Sequence, residues 1–77
     1  MASSAKKIRD QILRTLDRKG GRVEGPDGAN VVPVLMRCCR GGALGNRVQW
    51  TECLDGLEAA GAVTVERHGN VPVAVTA

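Results

Sequence analysis

Apolar residues in the first part of the chain recur at helical spacing, with Ala5, Ile8, Ile12 and Leu16 on one stripe that Leu13 widens. Ser4 can cap this helix, and Gly20 and Gly21 stop it after Arg18 and Lys19 place positive charge where the helix dipole favours it. The pattern predicts a first helix over residues 4–19, with residues 1–4 as a flexible leader and residues 5–77 as one domain. Residues 25–28, Gly-Pro-Asp-Gly, form a turn-forming run that leaves room only for a short first strand around Arg22, Val23 and Glu24.

Asn30 can cap a second helix, because Pro33 lies in the first turn, where its missing amide proton is not needed. Val31, Val34, Leu35 and Cys38 then share one face, opposite Pro33, Arg37 and Arg40, and Gly41 and Gly42 end the helix. After a short glycine-bearing connection over 43–45, Asn46 and Gln49 match a capping box that opens a third helix over residues 46–60. Trp50, Cys53, Leu54 and Leu57 form its inward face, and Gly61 supplies the left-handed residue that stops it. Two helices joined by a short turn make a helix-turn-helix.

The remaining residues, 62–76, predict a hairpin. A two-residue turn at Gly69-Asn70 would set Val65 against Ala74 and split the valines between the two faces. A three-residue loop of His68, Gly69 and Asn70 instead opposes Arg67 to Val71, Val65 to Val73 and Val63 to Val75, so that all five valines share one buried face. Asn70 would take the left-handed position, and Pro72 would point outward on an edge.

Composition narrows the function classes. With 77 residues the chain holds one domain near the lower size limit of independent stability, too small to enclose a substrate readily. Its only aromatic, Trp50, argues against a base-stacking platform, and at its spacing it is read as a core anchor. A net charge of +3 suits a polyanionic partner without demanding one. No stretch approaches the roughly 18 apolar residues of a membrane span, nor is there the apolar segment of a signal peptide, so a cytoplasmic location is expected.

Three cysteines make a disulfide framework improbable. Cys38 and Cys39 diverge by roughly 100 degrees on a helix, and with Cys53 and His68 they match no standard zinc spacing. Cys38 and Cys53 read as small buried hydrophobes and Cys39 as the more reactive thiol; no metal or cofactor is expected. There is no nucleophile beside a base, no histidine pair and no phosphate-binding glycine loop, so the chain is not expected to be an enzyme.

The run Thr51, Leu54, Leu57-Glu58-Ala59-Ala60-Gly61-Ala62-Val63, followed by Arg67, resembles winged helix-turn-helix proteins, in which the recognition helix passes through a Leu-Glu-x-x-Gly turn into a β-hairpin wing. Residues 20–28, Gly-Gly-Arg-Val-Glu-Gly-Pro-Asp-Gly, also look like the turn joining the first two helices in small bacterial domains. The resemblance implies an α+β fold of three helices with a hairpin wing. It also implies a transcriptional or phage-type regulator that binds double-stranded DNA, nucleoid-associated in that case, with the third helix in the major groove. Arg47 would then read guanine, Gln49 adenine and Val48 a thymine methyl. Glu52 would accept from cytosine, and Thr51 would sit on the same face. Arg37, Arg40, Arg67, His68 and Asn70 would contact the backbone or groove.

Against this, the third helix carries Glu52, Asp55 and Glu58 but only one base, and acids facing phosphates are repelled. An alternative is therefore a protein-interaction module using that acidic face or the hairpin edge. Arg37 and Arg40 also read as a solvated helix face, and His68 as an exposed polar residue at a hairpin tip. Because one such module buries limited surface, specific DNA binding would call for a homodimer or adjacent copies, with the first helix as a candidate interface.

Overall fold

The structure, a computed structural model, describes residues 4–77. The described residues form three α-helices and one three-stranded antiparallel sheet, an α+β fold. The order is α1 (Ser4–Arg18), β1 (Arg22–Glu24), a 3-10 turn (Pro26–Gly28), α2 (Val31–Arg37), α3 (Arg47–Ala59), β2 (Thr64–His68) and β3 (Val71–Thr76).

Helix α1 buries Ile8, Ile12 and Leu16 completely, whereas Leu13 lies at the margin of the stripe, 37% exposed. Ser4 is already helical instead of belonging to a leader, whose other residues, 1–3, lie outside the described residues. Gly20 at φ +78° stops the helix, and the Gly21 amide donates back to the Leu16 carbonyl at 2.7 Å. One polar residue joins the buried stripe. Thr15 is only 1% exposed, and its hydroxyl lies 3.8 Å from the Cys39 sulfur.

Helix α2 starts as its sequence predicts, with the Val32 amide donating to Asn30 Oδ1 at 2.9 Å. It ends earlier than expected, at Arg37, so Arg40 lies in the connection and not on the helix. Its buried residues are Val31, Val32 and Leu35; Val34 is half-buried, and Cys38 is the half-buried cap of the helix instead of an inward core residue. The connection then runs over residues 38–46, longer than the short turn of a helix-turn-helix. Side chains from two helices hold it in place. Gln11 of α1 donates to the Gly42 carbonyl and accepts from the Leu44 amide, both at 3.0 Å, and Trp50 Nε1 donates to the Leu44 carbonyl at 2.6 Å.

Helix α3 opens on the expected capping box, Gln49 N to Asn46 Oδ1 at 2.9 Å and Asn46 N to Gln49 Oε1 at 3.0 Å. It buries Trp50, Cys53, Leu54 and Leu57. Gly61 at φ +77° ends it, with the Ala62 amide donating to the Leu57 carbonyl at 2.9 Å.

The sheet differs from the expected hairpin in register. Its order is β1-β3-β2, with both pairings antiparallel. The loop has two residues, Gly69 and Asn70, so His68 pairs with Val71 and Arg67 with Pro72. Gly69, not Asn70, takes the positive φ, +62°. Left uninterrupted, this register would place Val65 against Ala74. A bulge between Glu66 and Arg67 leaves Val73 without a partner on β2 and brings Val65 opposite Val75. The bulge thus buries Val65 and Val75 without a longer loop. It also turns Pro72 inward and leaves Val71 41% exposed, the reverse of the expectation for both. Pro72 is tolerated in the central strand because β1 pairs only with residues 74–76. Arg22 ties all three strands together, donating to Glu24 on β1 at 2.7 Å, Thr76 on β3 at 2.9 Å and Glu66 on β2 at 2.8 Å.

Candidate nucleic-acid interface

The capping box fixes where the first turn of α3 points. Arg47 is exposed and Val48 is 67% exposed, the most exposed large apolar side chain among the described residues. Thr51 is half-buried, and its hydroxyl donates to the Arg47 carbonyl at 2.9 Å, which uses its proton within the helix. Arg47, Val48, Thr51 and the exposed Glu52 line an open groove of about 270 Å³ together with Asn30 at the start of α2. Arg47 and Glu52 make no ion pair among the described residues.

Gln49 departs from this group. Its side-chain oxygen is occupied by the Asn46 amide, and it faces α1, lining a cleft of about 220 Å³ with Ala5, Ile8, Arg9, Glu52 and Cys53. The capping box and adenine recognition compete for one carboxamide, and the folded helix uses that oxygen for the cap. Four of the five candidate base-contacting side chains are therefore brought together, and Gln49 is not.

The wing arginine also has partners. Arg67 makes a two-pronged contact with Glu58, at 2.8 and 2.9 Å, and donates to Asp55 at 2.9 Å. The bond to Glu58 first, and that to Asp55 after it, hold the guanidinium more firmly protonated than an ordinary arginine. The same bond holds the Glu58 carboxyl below its usual range, against a smaller opposing effect of partial burial. Arg67 is thus a strut between hairpin and helix instead of a free cation at the tip. The acids of the carboxyl half of α3, which looked hostile to phosphates, are the other end of that strut.

His68 and Asn70 are exposed at the hairpin tip. A Cβ placed on Gly28 would lie 3.8 Å from His68 Nδ1, so the tip reaches over the 3-10 turn. Arg37 is exposed at the end of α2, and Arg40 is exposed in the following connection.

Two arginines, Arg22 and Arg67, pair with four carboxylates, so this network is net −2; the formal charge of +3 then leaves +5 on the rest of the chain. Most of the unpaired cations lie on α1 and the 38–46 connection. Gln11, Arg14 and Arg18 on α1 had no helical-spacing signal beyond that of a polar face, because their partners are at least 20 residues away.

The thiols are separate. Cys53 is buried, with its sulfur 3.6 Å from the Ala5 carbonyl, and burial pushes its pKa up. Cys39, expected off the core, packs against it, its sulfur 3.5 Å from the Leu35 carbonyl. Among the described residues no group of three or more His, Cys, Asp or Glu side chains could hold a metal ion, and no helix is long and apolar enough to cross a membrane. Compared with known families, curated proteins and solved structures, the chain finds no match.

Proposed function

We propose that this chain is a winged helix-turn-helix module that binds duplex DNA through the amino-terminal half of α3, with the β2–β3 hairpin as its wing. The observation that carries this reading is the Arg67 strut. It pairs with both Asp55 and Glu58 and halves their negative charge at the carboxyl half of α3, while Arg47, Val48 and Thr51 line an open groove at the other end. The element order and the β1-β3-β2 sheet also suit a winged helix. In this reading Arg47 contacts a base edge, Val48 meets a thymine methyl, and Arg37 takes a backbone phosphate. Gln49 keeps its capping role. A second copy on a neighbouring half-site would add the specificity that one small interface lacks.

Fluorescence anisotropy of a labelled mixed-sequence duplex across a salt series tests the reading. Affinity should fall steeply as salt rises, and Arg47→Ala should weaken binding by about 1–3 kcal/mol. Absence of binding at low salt would overturn it. The exposed Val48 beside the unpaired Glu52 favours a second reading, a protein-binding face on the same groove. Under that reading Val48→Ala and Glu52→Ala disrupt a protein contact, and duplex affinity is absent from the outset.

A further inference from the structure

A basic site lies away from the α3 groove and shares no lining residue with it. Gln11, Arg14, Thr15 and Arg18 of α1 and Cys39 and Arg40 of the connection enclose a depression of about 190 Å³. Three guanidinium groups line it and no carboxylate does. Asp10, one turn before Arg14, makes no ion pair with it. The helix dipole accounts for Arg18 in the last turn of α1 but not for Arg14, a turn earlier, nor for Arg40, which arrives from another element.

Part of the wall of this depression is held in place before any ligand arrives. Arg14 and Arg18 are four residues apart, on one helix face. Arg18 donates to the Cys38 carbonyl, which orients its guanidinium and leaves its other donors unassigned. Gln11 clamps Gly42 and Leu44, holding the connection that carries Arg40, and Thr15 lies beneath, against the Cys39 sulfur. Planar guanidinium forks match the oxygens of a phosphate, and a framework held by its own hydrogen bonds loses little freedom on binding.

The volume sets the size of the ligand. At ~30 Å³ per water, the depression holds about six waters, and it falls below the roughly 300–1,000 Å³ of clefts that enclose whole small molecules. The geometry points to Arg14, Arg18 and Arg40 as a binding site for a single phosphate group, either a free phosphate or one phosphate of a nucleic-acid backbone. This site does not depend on the α3 groove binding DNA.

The test is an amide and arginine side-chain NMR titration of the isotopically labelled chain with inorganic phosphate, against sodium chloride at matched ionic strength. Phosphate should give saturable shifts in residues 11–18 and 38–42 that chloride does not give. The Arg14→Gln, Arg40→Gln double variant should bind roughly tenfold or more weakly, since two charged donors are lost, while Arg47→Ala should leave the shifts intact. Both substituted arginines are exposed, and an unchanged thermal midpoint shows that the variant is folded. If a backbone phosphate is the natural occupant, the double variant also lowers the salt slope of duplex binding by about one, the share of a single phosphate contact. If free phosphate is, duplex behaviour stays as it was. Phosphate shifts that never saturate, or that survive the double substitution, together with an unaltered duplex salt slope, overturn the site. Failure of the α3 reading would appear separately, as indifference of duplex affinity to Arg47→Ala.

Discussion

Arg67 and Glu58 are joined by two parallel contacts, at 2.8 and 2.9 Å, which lock the β2 strand to the last turns of α3. The geometry is that of a guanidinium fork on a carboxylate, the strongest form of such a pair. With Asp55 on the same guanidinium, hairpin orientation and α3 charge are controlled by one side chain.

Arg67→Ala should therefore have two effects. The thermal unfolding midpoint should fall slightly, because the pairs are partly exposed and water screens them. Duplex affinity at low salt should fall more than the loss of one distant charge accounts for, because Asp55 and Glu58 on α3 lose the positive charge they share. Adding Glu58→Gln to Arg67→Ala should recover part of that affinity. No recovery would mean that Arg67 acts by direct contact with the duplex.

The same pair predicts an acid sensitivity. Arg67 lowers the Glu58 carboxyl pKa in the folded state, so the stabilisation is complete above the unfolded value of about 4.3 and is lost as pH falls through the lowered folded value. Thermal midpoints of the wild type and Glu58→Gln, measured from neutral pH downward, should therefore draw together once pH falls below about 4.3 and meet only below the lowered folded value. A constant difference between the two would remove Glu58 from the acid response.

Gln11→Ala removes two of the hydrogen bonds that hold the 38–46 connection to α1, leaving that of Arg18 to the Cys38 carbonyl. The expected loss is about 1–2 kcal/mol, since each such bond contributes on the order of 1 kcal/mol net. Hydrogen exchange should localise it, with the Leu44 amide losing protection while amides in the middle of α3 keep theirs. A uniform loss across the chain would show that the connection is not separately tethered.

Two glycines predict opposite signs. At Gly25 an added Cβ would lie 1.9 Å from the Ala29 carbonyl oxygen, a clash between backbone segments that no rotamer relieves. Gly25→Ala should cost more than about 2 kcal/mol or prevent folding. Gly56 sits inside α3, exposed, with nothing within 4 Å of its would-be Cβ. Gly56→Ala should stabilise by about 0.5–1 kcal/mol through the backbone entropy of the unfolded chain. Denaturant midpoints of both variants check the pair.

Several features were legible in the order of residues. The extents of α1 and α3, the Asn30 cap, the Asn46–Gln49 box, the Gly20 and Gly61 stops and the inward face of α3 all depend on neighbours within about one turn. Helix α2 was less legible. Gly41 and Gly42 marked its end, but it stops at Arg37, where the connection turns back to meet Gln11 and Arg18 on α1. That contact is tertiary, and it moved Arg40 from a helix face to the rim of a basic depression.

The hairpin separates local from non-local information. Its residues specified two strands and a need to bury Val65 and Val75, and two devices could satisfy that need, a longer loop or a bulge. The choice fell to the bulge at Val73, whose carbonyl accepts from Gly25 on the far side of the sheet at 2.8 Å. By itself the sequence determined α1 and α3 with their buried faces and the Asn30 and Asn46 caps, because those interactions close within about one turn. The tertiary structure alone decided the strand register, the partners of Arg67 and the convergence of Arg14, Arg18 and Arg40. These depend on which distant segments meet once the apolar faces are buried together.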